Sequence, residues 1–127
     1  MSRTAFLRAY GKAWQIGDAA QILAATAAGF IYEDPAFGTI ARVDFPAYLE
    51  AFKARVAALR TSDGAAPAGL MTFSDFADTV AADEDTAWAW WRVPETTLQG
   101  GGMIKIGDDG IRLERMTYFA APATATR

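Results

Sequence analysis

The segment Tyr32–Gly38, YEDPAFG, places two adjacent acids between a short apolar run and a proline. The run before it, residues 28–31, predicts a strand, and Pro35 would end that strand because proline cannot donate to a sheet ladder. Neighbouring side chains on a strand face opposite ways, so we expect Asp34 to point inward and Glu33 outward. An inward carboxylate is a candidate general base. The alternative is that Asp34 only bonds the backbone of the turn that it opens.

Three helices are predicted in the first half of the chain. Apolar residues at three- and four-residue spacing predict the first helix over Arg3–Ile16, ended by Gly17. Asp18 is expected to cap a second, short helix that stops near Gly29. Asp44 is expected to cap a third helix over Phe45–Arg60. The stripe predicted to be buried on that helix consists of Leu49, Phe52, Val56 and Leu59.

The second half of the chain is predicted to be β-structure. Four candidate strands alternate with turns rich in Asp and Gly, which is typical of consecutive antiparallel hairpins. They cover Leu70–Ala81, Thr86–Val93, Thr96–Ile106 and Ile111–Ala121. We therefore expect one α+β domain over residues 1–127, with three helices packed in the concave face of a curved, mainly antiparallel sheet. The run Gly100-Gly101-Gly102 is expected to mark a bulge or a bend in that sheet.

Composition excludes several classes of chemistry. The chain of 127 residues has a net charge of −3 and contains neither His nor Cys. Serine–histidine and cysteine–histidine nucleophile pairs are therefore impossible, and so is a zinc site of the usual ligands. The lack of a basic cluster argues against nucleic acid as a partner. The chain has no apolar run long enough for a membrane span, so we expect a cytoplasmic protein.

The order of elements and three local motifs resemble the SnoaL-like branch of the NTF2-like superfamily. The motifs are the Gly17-Asp18 turn, the YEDP segment at the end of the first strand, and DDG-x-x-x-x-R-x-x-Y from Asp108. The spacing is similar to that of ketosteroid isomerases, which implies that Asp34 is the general base. It also implies that Tyr10, eight residues before Asp18, is the oxyanion donor. The position of the second donor, a protonated aspartate in those enzymes, is occupied here by Gly102.

The resemblance also implies a pocket with apolar walls. Trp14, Phe30 and Phe119 would line it, together with the space above Gly102. Trp88 and Trp90 share one face of a strand and Trp91 takes the other, so one set would line the cavity and the other would cover the outer face. Exposed aromatic residues on an open sheet indicate an interface, which predicts a homodimer formed through the sheet.

Two classes of function follow from the resemblance. The first is an isomerase or lyase that needs no cofactor, in which Asp34 removes a proton next to a carbonyl and Tyr10 stabilises the enolate. The second is a non-catalytic module that binds a small hydrophobic molecule or serves as a dimeric scaffold. Polyketide-cyclase activity of the SnoaL type would need an acid on the C-terminal sheet. Glu114 is the nearest candidate for that acid.

Overall fold

The computed structural model of the protein describes residues 1–60, 70, 72–73, 80–83 and 85–120. These residues form an α+β arrangement of helices and a seven-stranded mixed sheet. The helices are α1 (Arg3–Ile16), α2 (Ala19–Ala24) and α3 (Phe45–Leu59), with a 3-10 helix (Arg42–Asp44) before α3. The strands are β1 (Thr26–Asp34), β2 (Gly38–Ala41), β3 (Thr72–Phe73), β4 (Val80–Asp83), β5 (Thr86–Arg92), β6 (Leu98–Gly107) and β7 (Gly110–Ala120).

Helix α1 begins and ends as the sequence predicts. The Ser2 side chain accepts a hydrogen bond from the Ala5 N–H at its start. Gly17 closes it with φ of 85°, a left-handed conformation that glycine adopts at little cost. Asp18 then caps α2 by accepting from the Gln21 N–H at 3.1 Å, so both predicted caps are confirmed.

Helix α2 is shorter than the sequence predicts. It ends at Ala24, and Gly29 lies inside β1 instead of at a helix end. The side chains of Thr26 and Arg42 both donate to the Leu23 carbonyl and satisfy the end of the helix there. The prediction was wrong because it relied on glycine as the end signal, whereas the helix end is satisfied by a threonine hydroxyl and by the distant Arg42.

Helix α3 has the predicted position, but its buried stripe is one residue shorter. Leu49, Phe52 and Val56 are buried, whereas Leu59 is 43% exposed. Asp44 stands before the helix without a side-chain cap, because the 3-10 turn already leads the backbone into it. Within the described parts of the chain, helices of the length and hydropathy that cross a membrane are absent.

The sheet is mainly antiparallel, with one parallel pair at its centre. The strand order is β2-β1-β7-β6-β5-β3, and β4 also pairs with β5. Only β1 and β7 run parallel among the described pairs, with Tyr32 opposite Glu114. Strand β2 was not predicted, since four residues after a turn give no clear period. It pairs with β1 in an antiparallel ladder that begins at the turn with Asp34 opposite Gly38. Residues 61–69 and 74–79, part of the predicted loop and first predicted strand, lie outside the described residues.

The three glycines of β6 do not form a bulge, which was one of the two irregularities predicted for them. Gly100, Gly101 and Gly102 pair in unbroken register with both β5 and β7, and the register shift lies later, between Lys105 and Ile106. A Cβ atom on Gly100 would lie 2.5 Å from the indole ring of Trp91. A side chain at this position would therefore displace the large ring that fills the same space.

Aromatic side chains from the helices pack on one face of the sheet. Ring centroids are 5.5 Å apart for Trp14 and Tyr32, and 5.8 Å apart for Phe45 and Phe30. Both pairs join a helix to β1. We call the space between this face and the helices the interior, and the opposite side of the sheet the outer face.

Candidate functional site

Asp34 and Glu33 lie on opposite faces of β1, as the sequence predicts. Asp34 is 2% exposed and points into the interior. Glu33 lies on the outer face, where its carboxylate accepts a 2.5 Å hydrogen bond from Arg115 Nε. An ion pair of Arg115 with Asp75 or Asp78 would be the expected cross-strand contact from sequence, but those two acids lie outside the described residues.

The Asp34 carboxylate accepts hydrogen bonds from three donors. Its Oδ1 accepts from the Ala36 N–H at 2.8 Å, which is the turn role considered as the alternative. Its Oδ2 accepts from the hydroxyl of Tyr48 at 2.6 Å and from that of Tyr118 at 2.7 Å. Burial and then the Asp34 carboxylate raise the pKa of both phenols, so both remain protonated donors. Asp34 therefore both shapes the turn and anchors two tyrosines.

A second carboxylate, that of Glu114, lies in the same interior. Its Oε1 accepts a 2.6 Å hydrogen bond from the Tyr10 hydroxyl, and both residues are buried. Burial raises the pKa of Glu114 to about 7, and the hydrogen bond from Tyr10 offsets part of that rise. Burial and the neighbouring Glu114 raise the pKa of Tyr10 well above its usual value. The pair is thus a neutral phenol bonded to an acid that titrates near neutral pH.

All four tyrosines of the chain are grouped around these two acids. Tyr32 lies between the Tyr10–Glu114 pair and the tyrosines bonded to Asp34. Burial, followed by the charge of Glu114 and the hydroxyl of Tyr48, raises its pKa. The interior therefore holds two phenol–carboxylate groups within one aromatic cluster. Among the residues with a described structure, three or more His, Cys, Asp or Glu side chains are nowhere grouped so that they could hold a metal ion.

The structure separates the predicted pocket residues into two sets. Tyr10, Asp34, Trp14 and Phe30 are brought together in the interior. Gly102 also lies on the interior side of the sheet, paired with Met116. A Cβ atom there would lie 2.6 Å from the Arg115 carbonyl oxygen, so backbone fills the space next to it.

The remaining predicted residues lie on the outer face. Trp88, Trp90 and Phe119 are each more than 40% exposed, and they border a shallow groove of about 430 Å³ that Met103 also lines. Phe119 is thus not an interior wall. The tryptophan of β5 that enters the interior is Trp91.

Sequence reasoning named Glu114 without fixing the face on which it lies. The last strand mixes polar and apolar residues on both sides, so its period does not separate inside from outside. A buried phenol needs a hydrogen-bond partner, and Tyr10 on the apolar stripe of α1 was the signal that an acceptor must face it.

Comparison with known proteins gives a fold but no sequence family. No protein-family model matches the chain, and no curated protein sequence does so either. A SnoaL-like protein of unknown function from Burkholderia thailandensis superposes with a TM-score of 0.66 at 17% identity, covering 93% of this chain and 94% of that one. A candidate polyketide cyclase from Xanthomonas campestris gives 0.61 at 19% identity, with 92% and 90% covered. An NTF2-like protein of unknown function from Cytophaga hutchinsonii gives 0.61 at 7% identity, with 100% and 96% covered. The chain therefore has the fold of the SnoaL-like and NTF2-like proteins.

Proposed function

We propose that this protein is a cofactor-independent enzyme that moves a proton next to a carbonyl group of a small apolar compound, as an isomerase, lyase or cyclase. The observation that carries this proposal is the buried pair of Tyr10 and Glu114. A carboxyl group whose pKa is raised by burial to about 7 is half ionised near neutral pH. A general acid–base group works best in that range.

Each member of the pair has a distinct role in the proposed reaction. The C–H bond next to the carbonyl breaks, its proton passes to the Glu114 carboxylate, and the electron pair moves to the carbonyl oxygen. Once Glu114 holds that proton, the Tyr10 hydroxyl turns its single hydrogen from Glu114 to the carbonyl oxygen and stabilises the charge there. Return of the proton from Glu114 to another atom of the substrate completes the reaction.

Asp34 is the second candidate base. A carboxylate has about four acceptor sites, and three on Asp34 are filled by Tyr48, Tyr118 and the Ala36 N–H. One site remains on Oδ1 for a substrate proton. The Asp34 carboxylate is thus held by three donors of the protein, whereas the Glu114 carboxylate accepts from the Tyr10 hydroxyl. We therefore assign the proton transfer to Glu114, and the experiment below separates the two acids.

Solvent exchange can test the reaction before the natural substrate is known. The protein is incubated in D₂O with a panel of small cyclic ketones and β-diketones, and deuterium uptake next to the carbonyl is followed by NMR. We expect uptake above the uncatalysed rate, lowered about a hundredfold or more in Glu114→Gln. Tyr10→Phe should lose about ten- to a hundredfold.

The matched control is Glu50→Gln, which removes an acid from the exposed surface of α3 and should leave uptake unchanged. Loss of uptake in Asp34→Asn with full retention in Glu114→Gln would transfer the role of base to Asp34. Uptake at the uncatalysed rate over the whole panel would contradict the proposal.

Binding without catalysis is the second candidate function. It is favoured by one observation, that both interior acids already have hydrogen-bond partners within the protein. Such a protein would bind apolar molecules, which titration of tryptophan fluorescence would detect, and would give no deuterium uptake.

We further propose that the protein forms a homodimer through its outer face. Trp88, Trp90, Phe119 and Ile31 are exposed there, together with the groove lined by Met103. Contiguous exposed aromatic surface of this kind usually marks an interface. A twofold arrangement would bury the same patch on both copies.

A further inference from the structure

The indole N–H of Trp14 is a buried donor that lacks a hydrogen bond. Trp14 is 2% exposed, and its Nε1 atom is the one fully buried side-chain nitrogen or oxygen without a hydrogen-bond partner in the described part of the structure. An unsatisfied buried donor costs about 1–3 kcal/mol. Native proteins contain few such groups, and those present often serve a function.

This N–H lies beside the phenol–carboxylate pair. It is close enough to the Tyr10 oxygen to lower the pKa of that hydroxyl, opposing the larger effects of burial and of Glu114, but it is outside hydrogen-bond geometry. The Trp14 ring also packs 5.5 Å from Tyr32, which is opposite Glu114 in the β1–β7 register. Two donors, an indole N–H and a phenol O–H, therefore lie next to each other near one acid.

The chemistry of the indole group restricts what it can bind. Indole N–H donates and never accepts, and it does not titrate in the physiological range. Its missing partner must therefore be an acceptor atom. Aromatic rings surround it, since Phe45 and Phe52 pack edge-on against Trp14 at centroid distances of 5.7 and 6.2 Å. In this apolar environment, the expected partner is an oxygen of a molecule whose remaining surface is apolar.

We infer that Trp14 Nε1 and the Tyr10 hydroxyl together bind one oxygen of the substrate, a carbonyl that becomes an enolate. The inference rests on the proposed function and adds a residue that touches the reacting oxygen. The substrate class is thereby narrowed to apolar ketones, enones and enols whose oxygen is uncharged before the reaction. Trp14 supplies from α1 the second donor that Gly102 cannot provide from β6.

Indole NMR tests the contact directly. The protein is labelled with ¹⁵N-tryptophan, and the four indole signals are assigned by single substitutions. It is then titrated with an acidic nitrophenol as an enolate mimic, about one pH unit below the Glu114 pKa of about 7. We expect the Trp14 N–H signal to move downfield on saturation. The exposed indoles of Trp88 and Trp90 provide internal controls that should not move.

Affinity measurements complete the test. Trp14→Phe should weaken nitrophenol binding about ten- to a hundredfold, the loss of one hydrogen bond to a charged oxygen. Because Trp14→Phe also leaves a gap in the core, a second variant replaces Trp14 by β-(3-benzothienyl)alanine, which keeps the shape of the ring and removes the N–H. It should show the same loss while its thermal unfolding stays near that of the wild type.

Each outcome decides between the proposals. If nitrophenol binds and Tyr10→Phe weakens it, while the Trp14 signal stays fixed and the benzothienyl variant binds normally, this inference fails and the proposed function stands. If nitrophenol does not bind at all, the oxygen site itself is wrong. Deuterium uptake by the ketone panel then decides separately whether any proton transfer occurs.

Discussion

The hydroxyl of Tyr10 donates to Glu114 across 2.6 Å and joins residues 104 positions apart in the chain. The bond ties α1 to β7 inside a shell of aromatic rings. A change in the charge of Glu114 therefore alters the contact between the first helix and the sheet. Stability and the proposed chemistry should both depend on whether the Glu114 carboxyl is protonated.

The Glu114 carboxyl should make stability fall with rising pH. Its pKa is raised from 4.5 to about 7 in the folded state, so the folded protein prefers the protonated form. This favourable contribution is full below about pH 4.5 and is lost as pH rises through about 7, at a total of about 3 kcal/mol. Glu114→Gln should remove that dependence. Urea unfolding at several pH values measures it.

The control for this prediction is Glu50→Gln, which should keep the wild-type pH dependence because Glu50 is exposed. If the unfolding free energy changed equally with pH in the wild type and in Glu114→Gln, the pKa of Glu114 would not be raised by folding. The proposed acid–base role would then lose its basis.

The two tyrosines on Asp34 should differ in their contribution to stability. Tyr48→Phe leaves a buried carboxylate oxygen with one donor fewer and should cost about 1–3 kcal/mol. Tyr118→Phe should cost less, because Tyr118 is only half-buried and water can replace its hydroxyl. Denaturant unfolding of both variants and of the double variant measures the difference. A larger loss for Tyr118→Phe would show that solvent does not reach this side of Asp34.

Gly110→Ala should destabilise the β6–β7 hairpin strongly. Gly110 has φ of 127°, and a Cβ atom would lie 2.8 Å from the Ala25 carbonyl oxygen. We expect a loss of at least about 2 kcal/mol, from strain and from displacement of that backbone. Gly29→Ala is the matched control, since the space beside Gly29 is open. That change should be neutral or stabilise by up to about 1 kcal/mol. Thermal unfolding of both variants checks the contrast.

Trp90→Gln should shift the protein from dimer to monomer if the outer face is the interface. Its ring is 44% exposed beside the groove of that face. Light scattering after size-exclusion chromatography measures the mass over a range of concentrations. Val43→Gln, which removes an exposed apolar side chain from the 3-10 helix, should leave the mass unchanged. A monomeric wild type would contradict the interface outright.

The elements that the sequence predicts well are those whose signals are local. The limits of α1 follow from its caps and its helical period, and the inward turn of Asp34 follows from strand alternation. The end of α2 depends on Arg42, a partner far along the chain, and the four residues of β2 are too few to show a period.

The candidate site is predictable only in part for the same reason. Tyr10 and Asp34 could be named from spacing, but not their partners. The face of Glu114 is fixed by parallel pairing of β7 with β1, a contact between the two halves of the chain. No sequence pattern indicates that the indole N–H of Trp14 lacks a hydrogen bond, because that property depends on the residues packed around it.

The central position of β7 has a consequence for synthesis of the protein. β7 is the strand that joins the β1–β2 hairpin to the β4–β5–β6 strands, and it follows every other described element in chain order. While the chain emerges from the ribosome, these two parts of the sheet have no strand between them, and the edges of β1 and β6 remain unpaired. Folding must then wait for contacts of large sequence separation, which slows it and exposes those edges to other chains. Retaining or releasing β7 in the ribosome tunnel would therefore decide when the interior first closes.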